Sequence, residues 1–214
     1  MRAETTPIQW GDQNDAEEWA NTLTHGLGLA VTLAYGGWLL ASLQAEPRLQ
    51  LGAAIYLATL LGVFGSSTAY HKAVDPTWKR ALNVVDRVAI HFAIAGAVTP
   101  FVIAQGNDAS LMSVWAAAGA GVAYESGWGV RYERIATALY LTVGAAVIGT
   151  ASPTLAALGL APLLWIIGGV ASILGGLVFF WLRDLPYHHT IWHVFVLAGL
   201  GAHTVAVHAV LLPG

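Results

Sequence analysis

Pro186-Tyr-His-His-Thr-Ile-Trp-His193 opens an apolar run that continues to Leu212. About 20 apolar residues in a helix span the hydrocarbon core of a bilayer, so this run is of membrane length. His189 and His193 stand at its mouth, four residues apart, which puts both imidazoles on one helix face, one turn from each other. Histidine is costly inside a membrane, and an intramembrane pair marks a functional site by default. Neutral imidazole is also the commonest metal ligand. The stretch therefore predicts both a membrane helix and half of a metal site.

The remainder of the chain has the same character. It is 57% hydrophobic and 10% charged over 214 residues, a composition that predicts a polytopic membrane protein. Seven apolar stretches follow one another: Thr22 to Leu43, Leu49 to Tyr70, Leu82 to Ala104, Ser110 to Tyr124, Arg134 to Ala151, Leu155 to Leu182 and His189 to Leu212. Asp75-Pro76 and Gly106-Asn-Asp108 mark turns between them, and Ser152-Pro153 is expected to end the fifth. The expectation is an all-α, seven-transmembrane-helix bundle forming a single membrane domain over residues 1–214, with residues 1–21 as a polar arm and 22–212 as the bundle. Gly168-Gly169 and Gly175-Gly176 predict close helix packing. The acidic start, with Glu4, Asp12, Asp15, Glu17 and Glu18 against Arg2, is unlike a cleavable signal peptide.

An odd number of spans puts the termini on opposite sides. Arg2, Lys72, Lys79, Arg80, Arg87, Arg131, Arg134 and Arg183 fall on the N-terminal side, and Arg48 alone on the other. By the positive-inside rule this predicts a cytoplasmic N-terminus and an outside C-terminus. A net charge of −3 with scattered basic residues argues against nucleic-acid binding. Cysteine is absent, so neither a disulfide nor a thiolate metal site is possible.

This topology brings a polar constellation to one level. His71 ends the second span, Asp86 opens the third, and His189 and His193 open the seventh. Ser67 lies one turn from His71 on the same face. Three neutral His ligands with one open position form a catalytic type of zinc site, so Zn2+ is the expected cofactor, with His71, His189 and His193 as ligands. Asp86 is expected to hold water or to accept from a ligating imidazole, and Ser67 to assist. His188 points about 100° from His189 and ranks below it. His203 is roughly 15 Å along the axis from His193 and is expected to line a cavity. His208 lies farther out, and His25 and His91 read as cavity or packing residues.

The motifs resemble those of a known family. Glu17-Glu-Trp-Ala-Asn-Thr-Leu-Thr-His25-Gly, Ser66-Ser-Thr-Ala-Tyr-His71, Asp86 with Ile94-Ala-Gly-Ala-Val-Thr-Pro-Phe101, and His189-Thr-Ile-Trp-His193-Val-Phe-Val-Leu-Ala-Gly199 with His203 are similar, in order, to the hemolysin III family. That family is the bacterial branch of the progestin and adipoQ receptor family, which includes the adiponectin receptors. The resemblance implies seven helices, a cytoplasmic N-terminus, and zinc held by His71, His189 and His193 with Asp86 and Ser67 close by. It also implies a multi-pass protein of the bacterial cytoplasmic (inner) membrane. Tyr124-Glu-Ser-Gly-Trp-Gly129 departs from the family pattern, and the N-terminal arm is too short for a large cytoplasmic domain.

Three functions follow as expectations. The wider superfamily includes alkaline ceramidases, so the first is a zinc-dependent hydrolase of a lipid amide or ester, with Asp86 handling the water and Ser67 the oxyanion. The second is a receptor-like or membrane-homeostasis protein with structural zinc. The third, a cytolytic pore, has little support in the sequence. In the first two, a membrane lipid is the expected substrate or ligand.

Overall fold

The structure is a computed structural model and describes residues 13–127 and 133–212. Arg2, Glu4, Asp12, Arg131 and the Trp128-Gly129 end of the atypical segment lie outside the described residues. Among those described, all regular structure is helical: α1 (Asp15–Ser42), α2 (Pro47–Lys72), α3 (Pro76–Ala104), α4 (Asp108–Gly127), α5 (Glu133–Ala156), α6 (Leu160–Trp181) and α7 (His188–Leu211).

Six of these helices, all but α4, are long and apolar enough to cross a membrane. The shortest, α6, has 22 residues, about 33 Å at 1.5 Å per residue. Large apolar side chains such as Leu27, Val31, Leu164, Ile167 and Val178 point outward, as a surface solvated by lipid requires. α4 is as long as a span needs, but it is rich in Ala and Gly and carries Asp108 and Glu125, which lowers its apolar character.

Local chemistry moves several boundaries. α1 begins at Asp15, well before Thr22, because Asn14 caps it: its side chain accepts from the Ala16 and Glu17 amides, and Glu17 accepts from the Asn14 amide. This reciprocal box fixes the start of a helix. Residues expected in a polar arm thus become the first two turns of α1. Asp75-Pro76 is the cap and first residue of α3, with the Asp75 carboxylate accepting from Thr77 and Trp78. The third helix therefore starts a turn and a half before Leu82. Pro153 does not end α5. It leaves the Gly149 carbonyl without its helical donor, and Ser152 Oγ donates there at 2.8 Å, so the helix runs on to Ala156.

α3 is the hub. It packs against α2, α4, α5 and α7, while α1 lies on α2 and α7, and α6 lies mainly on α7. The α6–α7 seam uses one member of each expected glycine pair. A Cβ on Gly169 would come within 2.7 Å of the Gly199 carbonyl oxygen, whereas Gly168 faces open space. Small residues here let the two backbones touch.

Candidate metal centre

Three helix ends build the site. His71 stands in the last turn of α2, and His189 and His193 in the first two turns of α7. One ring nitrogen from each of the three lies within 4.8 Å of the others. The ring centroids are 4.6 Å apart for His189 and His193, 5.0 Å for His71 and His193, and 5.2 Å for His71 and His189. His71 and His193 are buried and His189 is half-buried. Among the described residues this is the one group of three or more potential ligands so arranged.

α1 orients the imidazoles. His71 Nδ1 is 2.7 Å from Glu18 Oε2, and a carboxylate accepts only, so the ring proton sits on Nδ1. His71 Nε2 is then a bare lone pair, buried and without a protein partner. Glu18 itself is held by Lys79, whose Nζ is 2.7 Å from Oε1. Thr24 Oγ1 lies 3.1 Å from His193 Nδ1, and its single proton already goes to the Ala20 and Asn21 carbonyls at 3.0 and 2.9 Å. Toward His193 the hydroxyl therefore accepts, which places the proton on Nδ1 and frees Nε2. Neutral rings whose outer N–H is held by a carboxylate or hydroxyl are the usual state of metal-ligating histidine.

The residues present fit a zinc ion. Zn–N bonds are ~2.0–2.1 Å, so two tetrahedral ligands stand about 3.3–3.4 Å apart, and nitrogens 4.8 Å apart at most need to close by no more than about 1.5 Å to share one. Three imidazoles with no thiolate match the open type of zinc site.

The other predicted residues fall as follows. Ser67 is buried on α2, one turn from His71. Ser66 donates to Asp86 Oδ1 at 3.4 Å, which ties the Asp86 carboxylate to α2, and Asp86 does not join the three-nitrogen group. Asp86 was expected to hold water or to accept from a ligating imidazole; at His71 the second part belongs to Glu18. His188 turns away, donating from Nδ1 to the Phe179 carbonyl at 3.2 Å. His203 bonds the Ala97 carbonyl at 2.7 Å and packs against Tyr56 and Phe101. His208 pairs with Tyr35 Oη at 3.1 Å, on the rim of an apolar groove between α1, α2 and α7. His25 is a packing residue of the site: its ring stacks on His193 at 3.6 Å and 10°.

Sequence reasoning missed Glu18, Asn21 and Thr24. Thr190 Oγ1 donates to Asn21 Oδ1 at 2.6 Å, and the Tyr187 amide donates to Glu17 Oε1 at 2.8 Å; both bonds fasten the start of α7 to α1. The signal was the spacing of Glu18, Asn21, Thr22 and His25, a polar stripe at helical period. It went unread because the span was started at Thr22.

A helical, polytopic membrane protein with a buried trio of histidines at one end of its bundle is the class these features define. A family model described as "Haemolysin-III related" matches residues 14–204, and the chain belongs to that family. It is 30% identical over 193 residues to the "Hemolysin-3 homolog" of Bacillus subtilis (strain 168), covering 87% of this chain and 90% of that one. It is 28% identical to "Hemolysin-3" of Bacillus cereus, covering 92% and 93%. The human "Monocyte to macrophage differentiation factor" is 30% identical, covering 89% and 83%. The relation to the progestin and adipoQ receptor family expected from the motifs thus holds.

Proposed function

We propose that this chain is a zinc-dependent hydrolase of a membrane-lipid amide or ester, with His71, His189 and His193 holding one Zn2+. The observation that carries the reading is the outward fixing of the ring protons of His71 and His193 by Glu18 and Thr24. It leaves ring lone pairs converging from two helices with only three protein ligands, whereas a structural zinc site is normally closed by four.

Zinc so held supplies Lewis acidity, bringing the pKa of water toward ~7 and polarising a carbonyl. The chain's own residues do the rest. Asp86, held by Ser66, accepts the proton of the attacking water and returns it to the leaving group. Ser67 donates to the oxygen on which charge develops. The substrate's acyl chains lie among the apolar helices and reach the site laterally from the bilayer.

In this reading all seven helices cross the bacterial cytoplasmic membrane, N-terminus inside. α4 is the helix whose composition is short of a span, and its bonds support crossing. Ser110, near its start, donates to Thr150 near the end of α5 at 3.2 Å, and Glu125, near its finish, pairs with Arg87, three turns into α3. α4 therefore runs antiparallel to α5, along the bundle rather than across its end. A cytoplasm-dependent reporter is expected to work at the N-terminus and in the Lys72–Arg80 loop; activity of an outside-dependent reporter there would reverse the orientation.

The function is tested by purifying wild type and Asp86→Asn, measuring zinc, and incubating each with ceramide-like and phospholipid substrates. About one zinc per chain in both forms, with fatty acid released by wild type only, is the expected result. A zinc-loaded wild type that releases nothing, beside an Asp86→Asn form of lowered melting temperature, would replace the hydrolase by a receptor-like protein with structural zinc.

A further inference from the structure

Among the described residues, eight buried side-chain polar atoms have no hydrogen-bonding partner in the protein. Three belong to the metal centre: His71 Nε2 and both ring nitrogens of His25. The other five fall together on the far side of α3, where it meets α4 and α5: Asn83 Oδ1, His91 Nδ1 and Nε2, Glu125 Oε2 and Tyr140 Oη. Asn83, Arg87 and His91 follow one another at four-residue spacing, so they form one stripe of α3. Arg87 Nε donates to Glu125 Oε1 of α4, and Glu125 and His91 are both wholly buried. Gly121, one turn before Glu125, lies under the His91 ring, where a Cβ would overlap it. From α5, the Tyr140 ring packs 4.8 Å from that of His91, and its hydroxyl faces Arg87 without completing a hydrogen bond.

Folded proteins rarely leave buried polar groups unsatisfied, and least of all at membrane depth. Five at one junction call for a common partner. A cation is opposed by the Arg87 guanidinium, and an anion by the Glu125 carboxylate. The partner must both donate, to Glu125 Oε2 and Asn83 Oδ1, and accept, from an imidazole N–H and a phenol. It must also be small, because His91 and Glu125 are sealed from the surface. We infer that the α3–α4–α5 junction is an internal hydration site, in which water bridges Asn83, His91, Tyr140 and the free oxygen of Glu125.

Buried water commonly makes about three such bonds, to groups the protein itself leaves unmatched. The site explains how α4 carries a carboxylate among apolar helices. The inference does not depend on the metal centre, although Asp86 is the chain neighbour of Arg87.

The test is X-ray radiolytic labelling of the full chain in detergent, in 18O-enriched water, read by mass spectrometry. Hydroxyl radicals formed from bound water oxidise the side chains that touch it. His91 is expected to be oxidised at least several-fold more than Tyr56, which is equally buried but bonded to Thr204 at 2.7 Å, with exposed Trp78 as the positive control. His91→Phe is expected to lower the labelling of Tyr140. Labelling of His91 no greater than that of Tyr56, while Trp78 is oxidised, overturns the inference. So does unchanged Tyr140 labelling in a folded His91→Phe. If that variant does not fold, the wild-type comparison decides alone.

Discussion

Two junctions of this bundle put a buried imidazole near a carboxylate, half-buried in one and wholly buried in the other, and they use the pair in opposite ways. At the α1–α2–α7 junction, Glu18 accepts from His71 Nδ1, and the far nitrogen is left as a directed lone pair. At the α3–α4–α5 junction, Glu125 is taken by Arg87, and His91 keeps both nitrogens without a protein partner. A carboxylate on the ring turns the far nitrogen of the imidazole into a directed lone pair, able to ligate a metal. A carboxylate engaged elsewhere leaves the imidazole as a polar group that needs solvent. In the roles proposed for the two junctions, what separates them is therefore the partner of the carboxylate.

The strongest way to break this contrast is to remove ligands. His189→Ala/His193→Ala is expected to lose its zinc outright, because one imidazole does not hold the ion. His91→Ala is expected to keep it. Elemental analysis of both purified variants decides; full zinc in the double variant ends the assignment.

Next in size is the ion pair. Glu125→Ala strips the buried guanidinium of its carboxylate, and breaking a buried pair from one side costs about 3–5 kcal/mol. Thermal unfolding is expected to show a large loss while zinc content stays at that of wild type. A stable Glu125→Ala would mean that Arg87 and Glu125 do not seat α4 on α3.

Glu18→Gln sharpens the contrast from the other side. Glutamine keeps the shape but accepts more weakly, and losses of this kind lower metal affinity ~10–100-fold. Competition with a graded set of chelators measures it. The Glu125 and Glu18 variants should thus exchange phenotypes: one loses stability and keeps metal, the other loses metal affinity with little change in stability.

Much of this was legible in the sequence, for definite reasons. Apolar runs of bilayer length reveal helices because lipid forces every backbone group into an internal bond. The His189–His193 spacing pointed to a pair of imidazoles on one helix face, and the structure brings His71 beside them, as the order of spans implied. Two kinds of information were hidden. Helix ends depended on caps, at Asn14 and Asp75, and on the Ser152 hydroxyl that lets α5 pass Pro153. The supporting shell of the site was hidden because Glu18 and Thr24 act across 53 and 169 residues of sequence, and a polar residue before an apolar run looks like part of a tail. His91 read as a packing residue because nothing in its own neighbourhood of sequence says that Tyr140 and Glu125 surround it.

The smallest expected effect tests the least obvious member of the metal centre. Thr24→Val replaces a hydroxyl by a methyl of the same shape, so packing against α7 is preserved. The bonds that the hydroxyl donates to the Ala20 and Asn21 carbonyls are extra to the helix ladder. What disappears is the hydroxyl acceptor beside His193 Nδ1; the Asn21 carbonyl, which the ring also bonds, remains. A neutral hydrogen bond of this kind contributes about 0.5–1.5 kcal/mol, equivalent to roughly a 2–12-fold change in an equilibrium constant. Zinc affinity is therefore expected to fall by that modest factor, and Thr24→Ser, which restores the oxygen, to recover it. The ranking carries the argument: the charged acceptor on His71 must matter more than the neutral one on His193, because hydrogen bonds to ionised groups are about twice as strong. If Thr24→Val weakened zinc more than Glu18→Gln, the ring protons would not be set by these two side chains, and the orientation of the imidazoles would have to come from α7 itself.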